Sequence, residues 1–321
     1  MIRLFAALTI ALFASLPARA EVEITEVTSP GGITAWLVQE PSIPFMALEL
    51  RFRGGASLDD PAKRGAINLM TGLLEEGAAD LDARGFARAL EALAASFDYD
   101  VSDDALSVSA RFLTENRDQA VELLRTSILE PTFDQAALDR VRGQVLTGWR
   151  SDTTDPDEIA RAAFDKMAYG DHPYATNYRG TLESVAALTR EDMMAAHAAV
   201  FAKDRLYVGA VGDITPEELG PLLDDLLGGL PDEGAPQPGP APILIEGGTT
   251  VVPFDTPQSV AIFGQPGIEQ DDPDFFAARV LNQVIGAGGF ESRLMTEVRE
   301  KRGLTYGVYS FLVPQDHAAT L

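Results

Sequence analysis

The sequence predicts an α+β fold built as two similar halves, and three observations carry that expectation. First, Met46, Leu48, Leu50 and Phe52 alternate with Ala47, Glu49 and Arg51, and Leu106, Val108, Ala110 and Phe112 alternate with Ser107, Ser109 and Arg111. A period of two marks a strand with one buried and one wet face. Second, helical periodicities separate and follow these strands, an order that favours helices packed on one face of a largely antiparallel sheet. Third, Asp59-Asp60-Pro61 recurs as Asp271-Asp272-Pro273, and at the same offset Gly77 falls on Gly289. The two copies follow comparable strand patterns, Ala47 to Phe52 and Ser259 to Phe263, which points to a duplicated unit.

The remaining elements follow in order. Pro61 suits a first helical turn and opens a helix expected to run to about Leu74. Asp80 is a plausible cap for a second, from Leu81 to about Ala95. Further helices are expected over 115–129, 134–151, 156–169 and 189–200, then a strand from Leu206 to Val211 and a helix from Pro216 to Leu227. Residues 231–242 contain five prolines and read as a stiff, extended linker. This divides the chain into an N-terminal unit, 21–230, and a C-terminal unit, 243–321. The second unit is expected to be incomplete, since a full copy would need roughly another hundred residues.

Composition narrows the function. Residues 1–20 have a secretory pattern: Arg3, an apolar stretch from Leu4 to Leu16, and the small-x-small site Ala18-Arg19-Ala20. The apolar stretch falls short of the ~20 residues that span a bilayer. Cleavage after Ala20, export to the periplasm and no membrane partner are therefore expected. With no cysteine, disulfides, thiolate metal sites and a cysteine nucleophile are all excluded. A formal net charge of −24 argues against a nucleic-acid partner. Scattered acidic residues serve solubility, and a basic peptide or partner would also be attracted.

Chemistry is concentrated in the run from Ser292 to Tyr306, where Ser292-Arg293-Leu294, Arg299 and Gly303-Leu304-Thr305-Tyr306 follow Gly288-Gly289-Phe290. Taken alone, Arg299 is one charge in an Arg/Glu/Lys-rich helix and Tyr306 an ordinary strand aromatic. Taken together, the run resembles the second-half motif of the pitrilysin/insulinase zinc peptidases. Arg53-Gly54-Gly55-Ala56-Ser57, Glu76-Gly77-Ala78, Pro131-Thr132-Phe133 and Gly212-Asp213 extend the resemblance through the first half. The family's zinc signature is H-x-x-E-H, which sets two imidazoles one helical turn apart. Here Asn68, Thr71 and Gly72 stand at those positions, and Thr147 and Gly148 stand where a third, glutamate ligand is expected.

No substitute site is legible. The three histidines, His172, His197 and His317, are far apart in sequence and read as turn, packing or surface residues. Glu75 and Glu76 read as a solvated pair near a helix end. There is no G-x-S-x-G elbow, and Gly286 to Phe290 lacks the ending of a phosphate loop.

The resemblance therefore implies a mitochondrial-processing-peptidase-like fold with neither a catalytic residue nor a metal ligand in this chain. Arg299 and Tyr306 are the substrate-binding candidates, able to donate hydrogen bonds to a peptide carbonyl. It further implies a heterodimer with a zinc-bearing family member that cleaves peptides or unfolded polypeptides, the zinc residing on the partner. The alternative, from a different class, is a non-enzymatic scaffold or peptide-binding protein that kept the fold.

Overall fold

The alternating residues become the middle of a sheet. The computed structural model describes residues 22–321, so the expected signal segment lies outside the described residues. Six strands, β1 (Thr25–Thr28), β2 (Thr34–Gln39), β3 (Phe45–Arg53), β6 (Ser96–Val101), β7 (Ala105–Leu113) and β8 (Leu206–Gly212), lie in the order β1-β2-β8-β3-β7-β6. A separate hairpin pairs the two-residue strands β4 (Gly77–Ala78) and β5 (Leu81–Asp82). All neighbours in the six-stranded sheet run antiparallel except β2 and β8. Met46, Leu48, Leu50 and Phe52 of β3 and Leu106, Val108, Ala110 and Phe112 of β7 are buried together on one face. Burial of such side chains contributes about 1.5–3 kcal/mol each.

The helices are α1 (Ala66–Thr71), α2 (Ala83–Ala92), α3 (Arg117–Leu129), α4 (Gln135–Asp152), α5 (Pro156–Tyr169), α6 (Leu182–Ala187), α7 (Arg190–Val200) and α8 (Pro216–Leu227), and all but α5 and α6 send side chains into the core under that face. The expected spans from 115 to 227 hold within a few residues. The first two helices differ. Pro61 opens only a 3₁₀ turn, Pro61–Lys63, capped by Asp60, and α1 begins later. The break comes at Gly65, at φ 90°, where a Cβ would sit 2.5 Å from the Arg179 carbonyl oxygen. Arg64 meanwhile turns its guanidinium into the interior. The second helix is capped by Asp82 rather than Asp80, its Oδ1 accepting from Gly85 N at 2.7 Å, because the β4–β5 hairpin takes residues 77–82. Strands β1, β2 and β6 were not among the expected elements.

Residues 231–242 form neither helix nor strand, as their prolines require. Beyond them the second half contains α9 (Phe275–Asn282) and short strands β9 (Val313–Pro314) and β10 (Ala319–Thr320). Two expected strands do not form: Ser259–Phe263 and the segment around Tyr306 have no ladder partner. Pairing begins just beyond 259–263. Gln265 and Leu321 exchange both backbone hydrogen bonds at 3.0 Å, and Gly267 N donates to Ala319 O at 2.9 Å.

Apolar side chains of the second half are exposed as well. In the first half Ile67, Leu69, Met70 and Leu73 are buried beneath the sheet, whereas in the second half Phe276, Val280, Leu281 and Val284 are exposed, and Phe263 is 85% exposed. A patch of this kind promotes association. Replacing Val280 and Val284 together by Lys is expected to reduce self-association of the purified chain, read by light scattering, without lowering its unfolding midpoint. A fall in the midpoint would mean that these side chains are buried in solution.

The second half is fastened to the first at a polar seam. Asp104 accepts from the Tyr174 hydroxyl and, through Oδ2, from Asp316 N at 3.1 Å. His317 N donates to the Tyr174 hydroxyl oxygen at 3.1 Å, and Arg53 pairs with Asp316 at 3.1 Å. Beneath these bonds Ala168, Tyr169, Tyr174, Ala175 and Ala318 form a second small core.

Candidate functional site

The glycine run and the helix after it hold the first candidate, Arg299. Residues Gln283–Ala287 and Met295–Glu300 form two wide π-helical stretches, a form frequent at functional sites. Between them Gly289, at φ 60°, leads into the short 3₁₀ turn Gly289–Glu291. Buried Ser292 ties the turn to the helix: its N–H donates to Gly289 O at 3.1 Å, while its hydroxyl and carbonyl accept from Met295 N and Thr296 N.

Charges sort themselves along this helix. Glu297 takes Lys301 at 2.6 Å and Arg302 at 3.2 Å, and the hydrogen bond from Lys301, then that from Arg302, holds its carboxyl below the usual range. Arg299 enters none of the ion pairs formed among the described residues. Its guanidinium carbon instead lies over the Phe290 ring, 4.9 Å from the centroid. Tyr306, beyond Gly303 at φ 62°, is 92% exposed. Among the described residues no hydrogen bond or ring contact joins Arg299 to Tyr306. Both offer donors that no protein group uses, on the same short stretch of chain.

The place of the zinc signature lies on α1. Asn68 is half-buried, and the Thr71 hydroxyl donates to Ile67 O at 2.8 Å, a bond that keeps it within its own helix. Gly72 ends the helix against α4, where an added Cβ would lie 3.2 Å from Val141 Cγ1. On α4 the Thr147 hydroxyl likewise donates to its own helix, to Gly143 O at 2.8 Å. At Gly148 an added Cβ would come 4.0 Å from Nη1 of Arg179, a cation paired with Asp152 at 2.7 Å and stacked over Trp149.

These groups do not fit a zinc ion. They offer no imidazole or carboxylate, and a fixed positive charge stands beside the third position. Among the described residues no group of three or more His, Asp or Glu side chains could hold a metal. Restoring one ligand should therefore not create a site: Gly72→His, at an exposed position where Val141 need give only slightly, is expected to change stability by about 1 kcal/mol or less and to gain nothing from zinc. Urea unfolding of that variant, with and without added zinc, checks both halves of the statement. Zinc-dependent stabilisation would contradict it.

The histidines separate. His172 and His317 meet at the seam, ring centroids 5.9 Å apart with Tyr174 between them in sequence and space, and burial pushes His172 down. His197 packs on Phe201, with its Nε2 2.7 Å from Ile128 O, and is lowered by burial. Glu75 is raised, first by burial and then by Asp98 and Glu76, while Glu76 pairs with Arg140. The sequence reading passed over Phe290 as a partner of Arg299. The signal was an aromatic nine positions upstream beside a glycine, too distant for a helical pairing rule to find.

A model of the insulinase family, peptidase family M16, matches residues 35–182, and a model described as the peptidase M16 inactive domain matches 187–320. A protein named non-peptidase homolog YmxG, from Helicobacter pylori, is 32% identical over 268 residues, covering 83% of this chain. The chain spans 62% of that relative's length. A crystal structure described as peptidase M16 inactive domain, from Pseudomonas fluorescens, superposes with a TM-score of 0.79 at 30% identity, over 93% of this chain and 73% of its own. The crystal structure of a protease from Helicobacter pylori superposes with a TM-score of 0.78 over 94% of this chain and 74% of its own. At 18% identity, that likeness shows the fold alone.

Proposed function

Because this chain belongs to the insulinase family of peptidases, family M16, and is an inactive member whose zinc positions hold Asn68, Thr71 and Gly72, we propose that it is a substrate-binding subunit. In this reading an exported, zinc-bearing relative pairs with it in the periplasm and performs the hydrolysis. Arg299 and Tyr306 donate hydrogen bonds to the backbone of a peptide or unfolded polypeptide held at the partner's metal. The observation that carries the reading is the state of Arg299: a guanidinium with no carboxylate partner, beside neighbours that are paired.

The chemistry assigned to this chain is binding and orientation. A guanidinium fork and a phenol present donors to a carbonyl, and such donors act most strongly when fixed before charge develops on the oxygen. The ion itself would supply the polarised water, on the other chain.

The test is affinity capture of the chain from its native periplasm, followed by metal analysis and a cleavage assay with an internally quenched peptide. The reading expects a zinc-bearing M16 protein in the captured material and activity lost on separating the two. Stable assembly whose activity is indifferent to Arg299 and Tyr306 would instead indicate a scaffold.

A further inference from the structure

We propose that Phe290 is a positioning residue for Arg299, an inference that rests on the substrate-binding role proposed above. A long cationic side chain without a partner samples many rotamers, and ordering it at the moment of binding costs free energy. A carboxylate could restrain it only by occupying the N–H groups needed for substrate and by neutralising the charge. An aromatic face restrains the guanidinium through its π system and leaves the donors at the edge of the fork open. Phe290 stands in that relation to Arg299, 4.9 Å from ring centroid to guanidinium carbon.

Four further observations support the assignment. Phe290 is 64% exposed and belongs to no core, so packing does not account for a phenylalanine there. The turn that presents it is fixed against the helix bearing Arg299 through the bonds of buried Ser292 to Gly289, Met295 and Thr296. On the far side, Gly303 N donates to Arg299 O at 2.9 Å, holding the backbone from which the side chain extends. Glu297, two residues before Arg299, is engaged with Lys301 and Arg302, and among the described residues Glu300, directly after it, forms no ion pair with Arg299. Ring and guanidinium are thus held from both ends, with the donors free.

The experiment has two readouts. In the chain alone, labelled with 15N-arginine, the Nε–Hε resonance of Arg299, identified by its loss in Arg299→Lys, is expected to lie upfield of exposed arginines through the Phe290 ring current. Phe290→Leu should return it to the ordinary position, and Phe290→Trp should keep it shifted. In the complex with the captured zinc-bearing subunit, Phe290→Leu should lower kcat/KM for the quenched peptide about two- to fivefold, and Phe290→Trp should restore it. An Arg299 resonance unmoved by Phe290→Leu would overturn the contact. A moved resonance with an unchanged rate, where Arg299→Ala is slow, would reduce the contact to local structure. If Arg299→Ala is itself without effect, the substrate role fails and the positioning role fails with it, while the resonance still reports whether the ring holds the side chain.

Discussion

An Arg64→Ala variant is expected to lose about 3–5 kcal/mol of stability, because it removes the positive centre of a buried polar hub and leaves its anions unpaired. Arg64 is 6% exposed, yet its guanidinium lies 3.6 Å from Asp59 and 3.4 Å from Asp103. It also donates to Ala56 O, to Pro173 O at 3.1 Å and to Thr176 O at 3.0 Å. Those acceptors come from three separate segments, so one side chain ties the loop after β3 to the turn between β6 and β7 and to the loop after α5. Asp59 in turn accepts from Gly65 N at 2.7 Å and Ile67 N at 2.9 Å, fixing the start of α1.

Burial pushes both Asp59 and Asp103 up to about 6, with Arg64 acting against that push. Without the guanidinium, each carboxyl must remain charged in a dry site or take up a proton at neutral pH. Urea unfolding of wild type and Arg64→Ala measures the loss, and Arg64→Lys should fall between them, since an ammonium cannot span five acceptors in a planar fork. A loss under about 1 kcal/mol would show that water reaches these groups.

The second large effect concerns activity. In the complex with the zinc-bearing subunit, Arg299→Ala is expected to slow peptide turnover about tenfold or more while leaving assembly intact. A donor built into a dry oxyanion site is worth about 10²–10³ in rate. Arg299 is half-buried rather than enclosed and makes no ion pair, so the lower part of that range, or somewhat below it, applies. Truncation also leaves no buried charge behind, which is why stability should be unaffected. Tyr306→Phe, which removes one hydroxyl from an exposed ring, should alter kcat or KM without altering the amount of complex. Co-sedimentation and steady-state rates on the same preparations separate the two quantities. An unchanged rate in Arg299→Ala, with assembly retained, would remove the residue from the site.

Much of the first half was legible because its signals are local. The alternation in β3 and β7, the prolines opening α5 and α8, and the absence of imidazole at 68 and 72 are each contained in a few consecutive residues. The misread helix starts have a different origin. At Gly65 the backbone turns to clear the Arg179 carbonyl, a group more than a hundred residues away in the chain. At Asp82 a hairpin of only two-residue strands takes priority over the cap at Asp80. Ser259–Phe263 has the apolar, β-branched composition of a strand, but composition cannot supply a ladder partner.

The sequence by itself determined what this protein lacks, because a ligand set is a matter of residue identity: no fold can draw an imidazole from Asn68 and Gly72. It also determined the half-wet sheet, through a period of two that any pairing must respect. Only the tertiary structure decided how the remaining polar groups are used. It set Gly72 beside Val141, gathered Asp59, Asp103 and three carbonyls around Arg64, and set Arg299 on Phe290 while Glu297 took the neighbouring cations. Whether a charge is spent on a partner or left available depends on distances between residues remote in sequence, and those distances are fixed by packing.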